Sequence, residues 1–498
     1  MEKGQHMQTA LITNLNLNSR TGSELHTLQV ARQLQKNGYE VTCFCLCAAH
    51  PLLRNFELNN IEVLSMGEEN KLKDHYDLFI AQHKLVSEYV YSLPRINFSS
   101  VYISILGVVT EHEGLPFFSE KANGILAVSE EVKNHLHQIA KIDNINLPPI
   151  HVFPNYYTPE YGEYEYVTND RIKSVCCISN HPSKDELEAM ELLEANGIKA
   201  VVYGYQTRSV EITPEILSKH DVVISIGRTA QECMSMGIPY YCYDHFGGPG
   251  YISLQNFEHN AAYNFSGRPE KTTLTGKELY EDIVQGYESA KQEAIAVKTL
   301  CRKRFNLDAL FRDALCFIND NKKHQEKELL TKEYRELLKI RANDYRLNYE
   351  NNWICDGELF YATKDDNNPQ ATQDKSFRFK YRYATEVQME LPDSLGHNLE
   401  IIRFDPDNNP CTCSLINCRA DSNNSRAKLN GGDAFLTTDP QYHFNKIHGI
   451  SFATNKLSMQ EVIDLMEQTS NKKKCPFELF IEHCKSLYRK IAHICTPC

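Results

Sequence analysis

The densest chemistry in this 498-residue chain lies at 227–239, GRTAQECMSMGIP. A β-branched apolar run at 222–226 precedes it and reads as a buried strand. Thr229 offers an N-cap hydroxyl. Residues 230–236 then read as a short helix, stopped by Gly237 and Pro239. A second apolar run follows at 238–243. Strand, tight turn, helix, strand is a βαβ unit of a parallel sheet. The free N–H groups at the start of such a helix favour a phosphate or diphosphate. Glu232, three residues after Thr229, could take two ribose hydroxyls on its carboxylate. Together these describe a nucleotide-diphosphate site. The same two residues equally describe a capping box with Thr229 as N-cap, and the residues alone leave both open.

The stretch resembles the nucleotide-binding half of GT-B glycosyltransferases, the group around glycosyltransferase family 4. There a GxxxxEAMAxGxPV segment carries the glutamate that binds the nucleotide ribose. The resemblance implies that role for Glu232, with Arg228 and Thr229 beside the diphosphate. It departs at Ile224, where the family's E-x7-E pair has its first glutamate. That departure bears on the donor sugar and on the stereochemical outcome. RTGSELHTLQVARQLQKNGYEVT, at 20–42, resembles the first crossover of these transferases. Its loop is implied to face the donor phosphates, with Gly22 allowing close approach and Arg20 meeting a phosphate. In the second half the loop NHPSK at 180–184 is implied to face the same cleft, so His181 or Lys184 could neutralise the departing diphosphate. GILAVSEEVKNHL and IHVFPN match the last strands of the acceptor-side domain. In that order His83, Glu111, His112 and Glu113 follow strand ends at the cleft, where any of them could touch the acceptor or act as base. At each of these positions a merely solvated loop residue is the plain alternative.

Alternating elements must position these groups. Residues 9–15 read as a strand, 23–36 as a helix with Leu25, Leu28, Val30, Ala31 and Leu34 buried, and 40–47 as a second strand. Further strands are expected at 61–65, 78–81, 101–105 and 125–128, the last followed by an N-cap at Ser129. The acidic, tyrosine-rich 156–170 reads as an interdomain linker. Residues 172–179 and 199–205 read as strands around a helix at 185–195, and 244–250 as a turn-rich loop. Helices are expected at 278–305 and 307–318, and in the resembled fold such closing helices cross back to the first domain.

The character then changes. A charged helix is expected at 322–346. Residues 376–391 alternate at period two, as one half-buried antiparallel strand, with further strands at 399–404 and 412–416. Asp405-Pro406-Asp407 reads as turn chemistry and not as a metal D-x-D. This module resembles the small β-domains appended to bacterial polysaccharide glycosyltransferases. Tyr381, Arg382 and Tyr383 are expected to present an aromatic, basic face of it to long acceptors. A chain ending near residue 320 is expected to keep the nucleotide site. Residues 476–495 form an amphipathic helix, suited to docking on the module or, in the sharper alternative, to peripheral contact with an anionic membrane surface.

A formal net charge of −12 argues against a general nucleic-acid binder. The 17 cysteines include no zinc-like spacing. Cys43, Cys45 and Cys47 alternate as small core residues, and Cys495 and Cys498 form a lone C-x-x-C. No apolar export core precedes the first strand, and no run approaches the roughly 18 apolar residues of a spanning helix. A cytoplasmic location is therefore expected, with any membrane contact on the inner face.

The expected fold class is α/β: a GT-B pair of doubly wound Rossmann-like domains facing across a cleft, plus a C-terminal β-rich, sandwich-like module. The expected bounds are 1–156 for the acceptor-side domain, 171–320 for the nucleotide-sugar domain, 321–349 for a helical connector and 350–498 for the module. The expected function is transfer of a sugar from a nucleotide-diphosphate sugar to a saccharide or lipid-linked saccharide acceptor in cell-surface polysaccharide synthesis. No cofactor or metal is expected, and retention is what the resemblance implies. The rivals are a nucleotide-sugar 2-epimerase of the same fold and a catalytically degenerate carbohydrate-binding scaffold.

Overall fold

The computed structural model describes residues 7–204, 211–270, 272–323, 327, 330–418 and most of 421–465. The chain divides into two units. One comprises 1–354 together with 380–386; the other comprises 355–379 and the residues from 387 on.

The first unit opens with β1 (Gln8–Leu17), α1 (Gly22–Lys36), β2 (Tyr39–Ala48), α2 (Leu52–Leu58) and β3 (Glu62–Ser65). After β4 (His75–Tyr76) come β5 (Leu78–Gln82), α3 (Lys84–Ser92), β6 (Asn97–Phe98) and β7 (Val101–Ile105). β8 (Gly124–Ala127), α4 (Glu130–Asp143) and β9 (Ile150–Val152) complete this domain. Seven of the strands form one sheet in the order β3-β2-β1-β5-β7-β8-β9, parallel throughout. Helices cover both faces, so nearly every residue of β1 and β2 is buried. The order reverses between β1 and β5. Such a switch point opens a crevice beyond the strands' C-terminal ends, and here the loop at 18–21 and His83 lie there.

The second domain runs α5 (Pro159–Gly162), β10 (Ser174–Ile178), α6 (Lys184–Ala195), β11 (Lys199–Tyr203), α7 (Pro214–Leu217) and β12 (Val222–Ser225). It continues through α8 (Arg228–Met236), β13 (Tyr240–Asp244), β14 (Gly247–Tyr251) and α9 (Phe257–Ala262). The sheet order is β11-β10-β12-β13-β14, so its switch point falls between β10 and β12, the strands that feed α6 and α8. The glycine-rich segment read as a turn contains β14, an edge strand antiparallel to β13. The tyrosine-rich segment read as a linker is packed: Tyr156, Tyr157 and Tyr161 are buried.

α10 (Gly276–Arg304) lies on α6 and α8. α11 (Leu307–Asp320) crosses back, placing Phe311, Ala314 and Ile318 in the core of the first sheet. The Tyr102 hydroxyl donates to the Ile318 carbonyl at 2.6 Å. α12 (Lys332–Trp353) starts later than the sequence pattern suggested and packs on α3 and β2, with Leu338 and Ala342 fully buried.

The second unit holds most of β15 (Ile354–Thr363) and of β16 (Ser376–Arg382), with β17 (Val387–Glu390), β18 (Leu399–Asp405) and β19 (Cys411–Leu415). β20 (Asp421–Asn423), β21 (Ser425–Leu429), β22 (Gly432–Phe435), β23 (Gln441–Ile447) and β24 (Gly449–Lys456) follow. They form two five-stranded sheets, β16-β15-β18-β23-β20 and β17-β24-β19-β22-β21. Phe404 and Phe452, one from each sheet, meet at 4.4 Å, as in a sandwich core. The single strand expected at 376–391 is two, β16 and β17. The chain turns between them at Ala384, φ 57°, and they join different sheets. Residues 380–386 belong to the first unit. Tyr381 and Arg382 are buried there and present no open face of a β-module. Asp407 Oδ1 accepts the Asp356 and Asn408 N–H groups, and Asp405 is forked by Arg403, so this D-x-D is structural. The helix expected at 476–495, with Cys495 and Cys498, lies outside the described residues. Among the described residues no helix is long and apolar enough to cross a membrane.

Candidate functional site

At the switch point of the first sheet, a carboxylate organises the loop after β1. Glu24 Oε1 accepts the N–H groups of Asn18 and Ser19, and Oε2 accepts the hydroxyls of Ser19 and Thr21 and the Thr21 N–H. Thr21 is the N-cap of α1, and the T-x-x-E spacing is a capping-box signal readable in the sequence. The loop amides thus turn inward to a carboxylate of their own. Gly22 is the first residue of α1, with nothing within 4 Å of where a Cβ would stand. Asn14 and Gln82, from β1 and β5, both donate to the Ser23 carbonyl and the Thr27 hydroxyl. They tie the first turn of α1 to the strand ends.

His83 follows β5 at φ 62° and caps α3. Its Nδ1 accepts the Leu15 N–H at 3.0 Å. Nδ1 therefore has no hydrogen, and in the neutral ring the proton sits on Nε2, 3.3 Å from Glu113 Oε1. Glu113 is buried, and its Oε2 accepts the Leu106 N–H at 2.7 Å. His112 sets its ring edge-on to His83 at 4.7 Å and its Nε2 3.1 Å from Thr110 Oγ1. Burial, and then the neighbouring His83, hold the His112 imidazole below its ordinary pKa, so it is neutral near pH 7 and can accept a proton. Glu111 points to the surface. The ligand atoms of His83, His112 and Glu113 lie within 4.8 Å of one another, a spacing a divalent cation could use. The Leu15 amide argues against one, because a protonated Nε2 has no lone pair for a metal.

In the second domain Gly227, at φ 66° and ψ −130°, is the N-cap of α8. Thr229 is thus the second helical residue and not the cap expected from the sequence, so Glu232 is not the partner in a capping box. Glu232 instead accepts Arg228 Nε at 2.7 Å, one turn apart on the helix, with side chains 7% and 14% exposed. Burial pushes the Glu232 carboxyl up and Arg228 pulls it back. Arg228 Nη1 is buried with no hydrogen-bond partner among the described residues. His181 and Lys184 lie exposed after β10, Lys184 as the first residue of α6. The N-terminus of α6 is closed by its own capping box, Ser183 with Glu186.

The two switch points face each other. The Arg228 guanidinium lies 5.9 Å over the Tyr156 ring, and its charge, after burial, helps depress the pKa of His26 in α1 to about 3. Arg20 pairs with Glu211 at 3.2 Å. Arg268 forks Glu131, at the start of α4, with contacts of 2.9 and 2.5 Å. The structure therefore brings Arg228, Thr229 and Glu232 opposite α1, and His83 beside His112 and Glu113. Arg20 spans the two domains, and Glu111 stands outside the cluster. Sequence reasoning missed His26, which sits among the apolar positions of α1, and Tyr156, which sits in a segment composed like a linker.

No protein-family model matches the sequence, and neither does any curated protein. Solved structures similar to it include a glycosyltransferase from Rickettsia africae at 16% identity and TM-score 0.44, covering 64% of this chain and 100% of that one. Sucrose-phosphate synthase from Thermosynechococcus elongatus is similar at 12% identity and TM-score 0.43, covering 63% and 98%. A putative UDP-N-acetylglucosamine 2-epimerase from Listeria monocytogenes is similar at 11% identity and TM-score 0.41, covering 66% and 100%.

Proposed function

We propose that the chain is a glycosyltransferase that moves a sugar from a nucleotide-diphosphate sugar to a saccharide acceptor. The observation that carries this reading is Arg228: a buried guanidinium with an unpartnered N–H, at the N-terminus of a helix, at the switch point of a parallel sheet. A buried donor left unpaired costs about 1–3 kcal/mol, and an oxyanion at the helix tip would satisfy it. We assign the ribose hydroxyls to Glu232. In the reaction the bond from the anomeric carbon to the diphosphate oxygen breaks, and its electron pair leaves on the diphosphate. That charge settles on the N–H groups of α8 and on Arg228, with Lys184 at the rim. The acceptor oxygen bonds to the anomeric carbon, and its proton passes to His112. His83 and Glu113 hold that base in place. Helix N-termini and basic side chains serve the leaving group without a metal, and we assign retention, with the acceptor oxygen approaching on the same face from which the diphosphate departs. The setting we assign is cell-surface polysaccharide synthesis in the cytoplasm.

Calorimetric titration with the common nucleoside diphosphates tests this. At least one should bind, and Glu232→Gln should weaken it about ten- to a hundredfold, the weight of a charge-assisted bond of about 1.5–3 kcal/mol. No heat from any nucleoside diphosphate overturns the reading.

A further inference from the structure

α12 carries aromatic residues at Tyr345, Tyr349 and Trp353, one turn apart on one face. Their rings lie in near-parallel planes, with interplanar angles of 18° and 27°. Tyr383, from the 380–386 segment, extends the row at 9° to Trp353. All four rings are half-buried. The row meets the loop after β1. Asn16 Nδ2 donates to the Tyr345 hydroxyl at 2.7 Å, and the Tyr349 hydroxyl donates to Asn18 Oδ1 at 3.3 Å. Arg382 Nη1 donates to the Ser19 hydroxyl at 2.7 Å, and its guanidinium lies 5.0 Å from the centre of the Trp353 ring. Two amide atoms beside the row have no partner among the described residues: Asn16 Oδ1, and Nδ2 of the fully buried Asn18. Asn16 and Asn18 follow by one and three residues the Leu15 amide that holds His83.

We propose that this row is the acceptor subsite, and that it takes a neutral saccharide of several units. Sugar rings present flat C–H faces that pack on aromatic faces, and uncharged amides with an unused donor and an unused acceptor suit hydroxyls. The row ends at the strand end that places His83, His112 and Glu113, so a chain lying along it delivers its terminal hydroxyl to His112. The subsite rests on the transferase reading for its meaning but is detectable without it. It also assigns acceptor binding to α12 and residues 380–386, outside both doubly wound domains.

Trp353 is the sequence's single tryptophan, so fluorescence excited where tyrosine does not absorb reports this row alone. The intact protein is titrated with malto-, cello- and chito-oligosaccharides from disaccharide to hexasaccharide, and with free nucleosides as the competing aromatic-stacking ligand. A saturable change with at least one saccharide series, tightening with length, is expected. Tyr349→Ala and Tyr383→Ala should each weaken it about three- to tenfold, whereas Tyr349→Phe, which keeps the ring and loses the bond to Asn18, should keep most of it. No response to any saccharide, a response to nucleosides instead, or equal loss in Tyr349→Phe and Tyr349→Ala overturns the proposal. Nucleoside-diphosphate calorimetry on the same samples separates the outcomes: saccharide binding without diphosphate binding leaves the subsite and removes the transferase, and the reverse does the opposite.

Discussion

His26 lies buried in α1 with its pKa held down to about 3, by burial first and then by the charges of Arg228 and His83. The folded state therefore keeps this ring neutral, whereas the unfolded chain protonates it below its ordinary pKa of 6.5. Stability from this group is fully present above about pH 6.5 and is lost as pH falls toward 3, with a ceiling on the order of 5 kcal/mol. His26→Gln should flatten the acid limb of the stability curve, read as the urea midpoint between neutral pH and about pH 4. His50, held down to about 4 by burial and by Arg54, acts in the same sense and should leave a residual slope. An unchanged slope in the variant would show that the folded state does not hold the His26 imidazole below its ordinary pKa. This interaction was not legible beforehand. A histidine within an apolar helical stripe reads as filler, and the guanidinium that bears on it comes from a helix some two hundred residues away. Glu24 went unread although its spacing from Thr21 is local and the capping geometry follows from it.

The position of α8 depends on one backbone angle. Gly227 sits at φ 66° and ψ −130°, where a side chain is strained, although nothing lies within 4 Å of its Cβ position. Gly227→Ala should therefore lower stability by about 1–3 kcal/mol through backbone strain alone. It should also weaken nucleoside-diphosphate binding, because the helix tip must move to relieve that strain. Thermal unfolding and calorimetry on the same sample check both. The apolar runs announced β12, α8 and β13, but a positive φ leaves no mark in hydrophobic pattern, so the cap was placed two residues too late. β14 was hidden for a related reason: GGPGY has turn composition, and only the edge position beside β13 makes it a strand. α12 gave its charge pattern plainly. Its tyrosines did not announce a purpose, because an i, i+4 pair of aromatics on a surface helix ordinarily means packing.

At the scale of the molecule, α12 and residues 380–386 complete the first unit. A chain ending near Asp320 would uncover the surface of α3 and β2 that Leu338 and Ala342 bury. It should therefore be less stable or aggregate, although it retains the elements of the nucleotide site. A chain ending at Ile354 should recover most of that loss while lacking the Arg382–Ser19 bond and the backbone bonds joining His50 to Lys380 and Arg382. Melting temperatures of the two truncations, against the full chain, decide this. Parallel αβ alternation made both doubly wound domains readable from the sequence, and period-two alternation made the β-rich part readable. The return of 380–386 was not, since nothing local distinguishes a strand that ends in its own sheet's unit from one that ends in another. That return has a consequence for synthesis. Emerging from the ribosome, the first unit can fold once residue 354 is out, but it is completed only when residue 386 has cleared the tunnel, with 355–379 already exposed. For that interval His50 and Ser19 lack the 380–386 segment that they bond, while strands of the second unit are still unpaired, so this is the window in which a chaperone has most to protect.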